Sequence, residues 1–217
     1  MELLVHTLRN GIRLTHLYGK ENVAHCGIFI NAGTRDEAET QHGIAHFIEH
    51  VIFKGTEKRN LYQVLNRLEN VGGDLNAYTG KEETCIYATF LPEYYRRTLE
   101  LFSDIVFHSV FPEKELEKEK DVVIDEIKSY QDTPGDQIFD DFEDMVFKGH
   151  PLGKNILGTP KNVKKFTPGD LKKFISDHYQ PARIVISSVG NIPFKKLVFL
   201  VERYFSQVPP GPALNGR

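Results

Sequence analysis

The segment His46-Phe47-Ile48-Glu49-His50 combines the residue types and the spacing in this sequence that are best suited to catalysis. Successive residues of an α-helix turn by about 100°, so His46, Glu49 and His50 would share one face. The apolar residues around them fall on the opposite side: Ile44, Phe47, Ile48, Val51 and Ile52. One side of this helix is therefore suited to packing, and the other presents two imidazoles and a carboxylate.

Metal-assisted hydrolysis is the chemistry that this face could perform. Two imidazoles one helical turn apart can bind a single Zn²⁺ with Zn–N distances of about 2.0–2.1 Å. The carboxylate of Glu49 would be placed to take a proton from water at the metal. The order H-x-x-E-H is the inverted-zincin signature. The alternative is a chance cluster on a solvated helix face, in a chain with 9 histidines.

A catalytic zinc ordinarily has a third protein ligand and one position open to water. The candidate ligand is Glu126, on a helix predicted over 112–130 that begins highly charged and becomes apolar. Glu119 lies two turns earlier on nearly the same face. A carboxylate beside an apolar run costs free energy unless a group such as a cation compensates it. On its own, however, Glu126 would be interpreted as a surface acid, and the charge run before it as a solvated face.

The elements that must position these residues follow from hydrophobic periodicity and turn signals. Asn10-Gly11 predicts an N-terminal hairpin, and Asn60 is a candidate N-cap. Strands are predicted over about 4–8, 12–17, 23–32, 74–80, 82–90 and 185–189, and helices over about 42–53, 61–71, 93–109, 112–130, 135–147, 168–178 and 194–205. Strands and helices are mixed without strict alternation, which favours an α+β fold.

Composition excludes several classes of function. The chain has 217 residues, of which 27 are Lys or Arg and 30 are Asp or Glu, giving a formal net charge of −3. This balance argues against a dedicated nucleic-acid-binding role. The longest apolar runs are far shorter than the roughly 20 residues that cross a bilayer, so no transmembrane helix or membrane partner is predicted.

The cysteines and the N-terminus bear on the compartment. Cys26 and Cys85 lie in apolar, strand-like segments, which favours two buried free thiols over a single disulfide. The first residues include an acid and a histidine, where a secretory leader would have a basic region and a long apolar stretch. These features predict a cytoplasmic protein, with prior removal of a leader as the alternative.

Several spaced motifs in this chain resemble those of one known family. They are Asn31–Glu37, His46–Thr56, Asn76–Thr84, Val122–Ile127, His150–Gly153, Gly158–Pro160 and Gly190–Ile192. In this order they are similar to the inverted-zincin metallopeptidases of the pitrilysin and mitochondrial-processing-peptidase type. The resemblance covers about residues 1–208 as one domain and leaves 209–217 as a linker-like tail. It implies a two-layer α+β sandwich, with a mostly antiparallel mixed sheet and helices packed on one face.

The resemblance also implies roles for individual residues. His46, His50 and Glu126 would bind one Zn²⁺ per chain, Glu49 would be the general base, and Glu119 would support the metal ligands from the outer shell. The stretch of Asn76, Ala77, Tyr78 and Thr79 resembles the strand that pairs with a peptide substrate through main-chain hydrogen bonds. Asn76 would bond to the peptide, and Ala77 would leave room for its backbone. Without the resemblance, this stretch is an ordinary hairpin strand.

Members of the family are built from two similar halves or from paired subunits that enclose a peptide or an unfolded protein segment. This chain corresponds to one metal-bearing half, so we expect it to need a second half-domain or partner subunit, with a homodimer as a further arrangement. It would be either an N-terminal half or a naturally short subunit. The alternative function is a non-catalytic binding or scaffold subunit of the same fold, which the intact metal motif disfavours.

Overall fold

A six-stranded sheet forms from the segments in which apolar and polar residues alternate. In the computed structural model, which describes residues 2–211, the strands are β1 (Leu3–Thr7), β2 (Arg13–Tyr18), β3 (Ala24–Ile30), β4 (Asp74–Thr79), β5 (Thr84–Phe90) and β6 (Ile184–Gly190). Their spatial order is β1-β2-β6-β3-β5-β4. Only β2 and β6 pair in parallel among these strands. The sheet is thus mixed and mostly antiparallel, with β4 at one edge.

Helices cover one face of this sheet. They are α1 (Ile44–Val51), α2 (Leu61–Glu69), α3 (Tyr95–His108), α4 (Glu113–Gln131), α5 (Pro134–Val146), α6 (Pro160–Val163), α7 (Pro168–His178) and α8 (Phe194–Phe205). The covered face includes Ile28, which lies opposite Ile86 on one side and Ile186 on the other, all three fully buried. Burial of such branched side chains is the main source of stability of the sandwich.

The opposite face of the sheet exposes apolar side chains. Phe29, Tyr78, Tyr87 and Val189 point away from the helices and each exposes more than a third of its surface. Two residues of the first strand on this face, Leu3 and Val5, are about as exposed as any apolar residue of a strand here, at 60% and 59%. We call this surface the outer sheet face.

The predicted α+β sandwich is confirmed, and most element boundaries agree within three residues. The helix predicted from 42 begins at Ile44, because Gly43 has a φ of +96° that ends the preceding turn in the left-handed region. The short helix α6 was not predicted. The parallel insertion of β6 between β2 and β3 was not predicted either, since local patterns do not determine strand order.

Two further sequence predictions concern the thiols and the membrane. Cys26 and Cys85 are both free and buried, as expected. Within the described residues, none of the helices has the length and apolar character that a bilayer crossing needs. The cytoplasmic location remains a prediction, as does the domain boundary at residue 208. Residues 212–217 of the predicted tail lie outside the described part of the chain.

Candidate metal centre

Helix α1 has the two-sided character that its sequence predicted. Phe47 and Ile48 are fully buried against the rest of the protein. On the other side, His46 is 6% exposed, and Glu49 and His50 are half-buried. The apolar side anchors the helix, so the two imidazoles are held toward Glu126 and Glu119 of α4, and the carboxyl group of Glu49 is held toward Thr79 of β4.

Three potential ligand atoms converge between α1 and α4. The Nε2 atoms of His46 and His50 are 3.3 Å apart. Oε2 of Glu126 lies 3.2 Å from Nε2 of His50 and 3.8 Å from Nε2 of His46. In a tetrahedral zinc site, ligand atoms bonded at about 2.0–2.1 Å are about 3.3–3.4 Å from one another. The separations and the two-nitrogen, one-oxygen donor set therefore fit one zinc ion.

The protonation state of His46 also suits a metal. Burial, followed by the proximity of His50, lowers the pKa of His46 to about 3. A neutral imidazole is the form that binds a cation. Among residues 2–211, no other group of three or more His, Cys, Asp or Glu side chains has comparable geometry.

Glu119 lies behind His50 rather than beside the three ligand atoms. Its Oε1 is 3.1 Å from Nδ1 of His50, and its Oε2 is 2.7 Å from Nζ of Lys54. A carboxylate in this position keeps the imidazole proton on Nδ1, which leaves the lone pair on Nε2 directed at the metal position. This is the geometry of an outer-shell support. Lys54 was not singled out from the sequence, because no spacing rule links it to Glu119.

Glu49 interacts both with the candidate ligands His50 and Glu126 and with Thr79 of the edge strand. Burial raises the pKa of Glu49 above its ordinary value. Hydrogen bonding to Thr79 and the charge of His50 oppose this shift, whereas the carboxylate of Glu126 adds to it. A raised carboxylate pKa moves the group toward the range in which it can both accept and release a proton near neutral pH.

The edge strand β4 runs beside α1 and has a main-chain N–H group that does not pair with β5. The backbone N–H of Ala77 donates to Oδ1 of Asn76 at 2.9 Å, so it does not join the ladder with β5. Asn76 and Tyr78 are exposed, whereas Ala77 is buried. The hydroxyl of Thr79 is 3.5 Å from the carbonyl oxygen of Ala45 on α1. Thr79 thus connects the predicted substrate strand to the helix that carries His46, Glu49 and His50.

Two histidines outside the H-x-x-E-H segment have other surroundings. His6 is 3.0 Å from a carboxylate oxygen of Glu202, and His16 is buried between Ser188 and Ile192. Neither approaches the three ligand atoms. Glu37, which sequence reasoning did not single out, is buried against the start of α1.

A mixed sandwich that presents H-x-x-E-H on a helix defines an inverted-zincin type of domain. The profile of the family described as Insulinase (Peptidase family M16) matches residues 16–160. The chain belongs to this family, as the resemblance of its motifs predicted. A second profile, Peptidase M16 inactive domain, matches residues 165–216.

Similar proteins include zinc proteases and a processing peptidase. The chain is 39% identical to the uncharacterized zinc protease YmxG of Bacillus subtilis over 202 residues, which cover 92% of this chain and 49% of that protein. It is 37% identical to the mitochondrial-processing peptidase subunit beta of Saccharomyces cerevisiae over 203 residues, with 93% and 44% covered. A solved protease from Helicobacter pylori superimposes with a TM-score of 0.91 at 25% identity, covering 99% of this chain and 52% of that one.

These similarities establish a peptidase-family domain and support a zinc centre. The chain spans about half the length of the curated relatives it matches. The roles of individual residues, the substrate and any second half are therefore matters for proposal.

Proposed function

We propose that this chain is the metal-bearing half of a zinc-dependent endopeptidase that hydrolyses peptides or unfolded polypeptide segments. The observation that supports this most strongly is the convergence of His46, His50 and Glu126, whose ligand atoms are 3.2–3.8 Å apart. A second supporting observation is that Glu49 is next to this cluster with a raised pKa. Relatives that are named zinc proteases support the choice of zinc as the metal and of peptide hydrolysis as the reaction.

In this proposal, His46, His50 and Glu126 hold one zinc ion per chain. When bound, the ion supplies Lewis-acid chemistry, lowering the pKa of water and polarising the scissile carbonyl. Glu119 and Lys54 act through His50. The carboxylate of Glu119 orients the His50 ring, and the ammonium group of Lys54 pairs with that carboxylate. The metal ligands come from two helices, so the relative placement of α1 and α4 determines the geometry.

Glu49 is the general base and then the general acid. It takes one proton from the attacking water as the water oxygen bonds to the carbonyl carbon. It then delivers that proton to the amide nitrogen as the C–N bond breaks, so that a carboxylic acid and an amine leave the site. Contact with Thr79 keeps the Glu49 carboxyl beside the edge strand on which the peptide would lie.

The substrate would add to β4 as a further strand. An edge strand offers unpaired N–H and C=O groups that recognise any extended backbone. A bound peptide would take the N–H of Ala77 and displace the Asn76 side chain, which could then bond to the peptide itself. Main-chain recognition accounts for action on peptides of varied sequence, and Tyr78 and Thr79 would flank the same backbone.

A second half-domain of similar fold would complete the enzyme. Support comes from the outer sheet face, where apolar side chains are exposed, and from relatives about twice the length of this chain. Contiguous exposed apolar surface of this kind commonly marks an interface. Pairing of two copies of this chain is the alternative arrangement.

A non-catalytic scaffold subunit is the second candidate function. It is favoured by the match of residues 165–216 to a profile described as an inactive domain. It is disfavoured by the presence of His46, Glu49, His50 and Glu126 in the sequence. The convergence of ligand atoms from the two histidines and Glu126 also argues against it.

The proposal is tested by measuring zinc content and peptide cleavage for the wild type and for Glu49→Gln, with and without an added second half-domain. We expect one zinc per chain in both proteins, and cleavage only by the wild type and mainly in the complex. Glu69→Gln, an exposed change at the end of α2, is the matched control and should cleave normally. A wild-type chain without zinc would refute the metal site, and full activity of Glu49→Gln would refute the base assignment.

A further inference from the structure

The N-cap residue of α1 has no side chain that could accept hydrogen bonds from the backbone N–H groups of the first turn. The initial N–H groups of a helix have no intrahelical partner and are commonly satisfied by a Ser, Thr, Asp or Asn at the N-cap. Here the N-cap is Gly43, which has no side chain. The start of the metal-bearing helix therefore needs an acceptor from elsewhere.

A side chain at position 43 is excluded by its surroundings. Gly43 has a φ of +96°, a conformation that L-residues rarely adopt. A Cβ there would lie 2.8 Å from Cα of Gly158 and 2.8 Å from the carbonyl oxygen of Leu157. The close approach of these two backbone segments thus prevents the N-cap residue from capping the helix with its own side chain.

Glu37 supplies the missing acceptors from six residues upstream. Its Oε2 accepts from the N–H of Gly43 at 2.9 Å, and its Oε1 accepts from the N–H of Ala45 at 2.9 Å. The residue is only 8% exposed. A carboxylate at a helix N-terminus is also stabilised by the helix dipole. Burial raises the pKa of Glu37 to about 8, and the two N–H groups and Lys154 oppose that shift.

These bonds are one residue away from the metal ligands. Ala45 directly precedes His46, and α1 has only 8 residues, so His46 and His50 both lie within about one turn of an end. Glu126 belongs to a different helix. A metal site requires ligand distances within about 0.2 Å of their ideal values. A small displacement of the first turn of α1 would therefore separate the imidazoles from Glu126.

We infer that Glu37 is a positioning residue for the metal centre: it fixes the first turn of α1 so that His46 and His50 meet Glu126. Glu37 acts through the backbone and touches neither the metal position nor the substrate strand. The inference rests on the proposed zinc site. It assigns a function to a buried acid in the loop that precedes the metal helix.

The test compares zinc affinity in the wild type and in Glu37→Gln, by titration against a competing chelator. Glutamine has the same shape, but its amide nitrogen cannot accept, so one of the two N–H groups loses its acceptor. We expect zinc affinity to fall about 10- to 100-fold, the range seen when groups supporting metal ligands are removed. The visible absorption of the cobalt-substituted protein should change as well, because it reports ligand geometry.

Glu39→Gln is the matched control. It makes the same replacement two residues later, in a side chain that is 86% exposed and pairs with Lys154. We expect this variant to keep wild-type zinc affinity. Unfolding by urea is measured for all three proteins without metal, so that a loss of stability is separated from a loss of affinity.

If the wild type binds no zinc, the proposed metal site fails; if the wild type binds zinc and Glu37→Gln binds it equally well, only the role of Glu37 fails. A variant that is less stable but has unchanged zinc affinity and cobalt spectrum would likewise overturn the inference. Should Glu37→Gln not fold, Glu37→Asp keeps the carboxyl group but shortens its reach, and an unchanged zinc affinity of that variant would be equally contradictory.

Discussion

His50 and Glu119 are 69 positions apart in the chain, yet Nδ1 of the imidazole and Oε1 of the carboxylate are 3.1 Å apart. The second carboxylate oxygen is held by Nζ of Lys54 at 2.7 Å. This chain of contacts fixes the orientation of the His50 ring. Because the Nδ1 side of the ring faces a carboxylate, Nε2 is the nitrogen left with its lone pair toward Glu126.

The first prediction concerns this support. Glu119→Gln keeps the shape of the side chain but removes the negative charge that favours the Nδ1–H form of His50 and attracts Lys54. We expect zinc affinity to fall about 10- to 100-fold with little change in the fold. Competition with a chelator measures the affinity. Glu117→Gln, on the same helix with a side chain that is 62% exposed, is the control; equal affinities of the two variants would contradict the outer-shell role.

The second prediction concerns the edge strand. In a Glu49→Gln background, which prevents turnover, Asn76→Ala should weaken binding of an unfolded peptide about 2- to 10-fold, the value of one net hydrogen bond of about 0.5–1.5 kcal/mol. Fluorescence anisotropy of a labelled peptide measures this. Asp74→Ala, an exposed change on the same strand and the same side, should leave binding unaltered. Tighter binding by Asn76→Ala would show that this side chain only blocks the N–H of Ala77.

Helical periodicity made much of the candidate site predictable. The shared face of His46, Glu49 and His50 depends on positions within one short helix, and the shared face of Glu119 and Glu126 on positions within another. Whether these two faces meet depends on tertiary packing. From the residues alone, Glu126 could therefore be either a metal ligand or a surface acid. The resemblance to a family, rather than residue spacing, predicted that the two faces form one site.

The features that were missed share a physical cause. Glu37 caps α1 by accepting hydrogen bonds from two backbone N–H groups. Nearly every residue carries such a group, so the sequence does not show which of them a given carboxyl group will contact. The helix needs this external cap because Gly43 lies so close to Gly158 that position 43 has no room for a side chain. These two glycines are far apart in the chain. The place of β6 between β2 and β3 is likewise set by long-range pairing. Local patterns predicted the elements well and their contacts poorly.

The third prediction concerns the turn that follows α1. Asp104 of α3 is 3% exposed, accepts a hydrogen bond from the hydroxyl of Thr56 at 2.7 Å, and forms an ion pair with Arg59. Asp104→Ala would leave both partners without this acceptor. We expect the free energy of unfolding to fall by about 2–4 kcal/mol, as measured by urea denaturation.

Glu100→Ala provides the comparison for this variant. Glu100 also pairs with Arg59, but its side chain is 22% exposed, so water can replace the lost contact. We expect a smaller loss of stability than for Asp104→Ala. Equal destabilisation of the two variants would contradict the interpretation that Asp104 is the buried acceptor shared by Thr56 and Arg59.

The fourth prediction concerns pH and His16, which is fully buried. Its Nδ1 is 3.2 Å from the hydroxyl of Ser188, its Nε2 is 3.2 Å from the carbonyl oxygen of Ile192, and its ring stacks on Phe194. Burial lowers the pKa of His16 below its ordinary value, and the contacts with Ile192 and Ser188 only partly oppose this. The folded protein therefore binds a proton at this site less readily than the unfolded chain does.

The contribution of His16 to the free energy of unfolding should fall as the pH decreases below about 6.5, because the unfolded chain then takes up a proton at His16 that the native protein resists. Glu37 has the opposite effect, since its raised pKa favours the native state as the pH falls toward 4.5. The contribution of His16 is therefore obtained as a difference between proteins. In urea unfolding of the metal-free chain at about pH 7.5, 6.5 and 5.5, the wild type should lose more stability than His16→Gln on acidification. His25→Gln, on the exposed face of the sheet, is the control and should follow the wild type; parallel behaviour of wild type and His16→Gln would show that His16 does not couple folding to protonation.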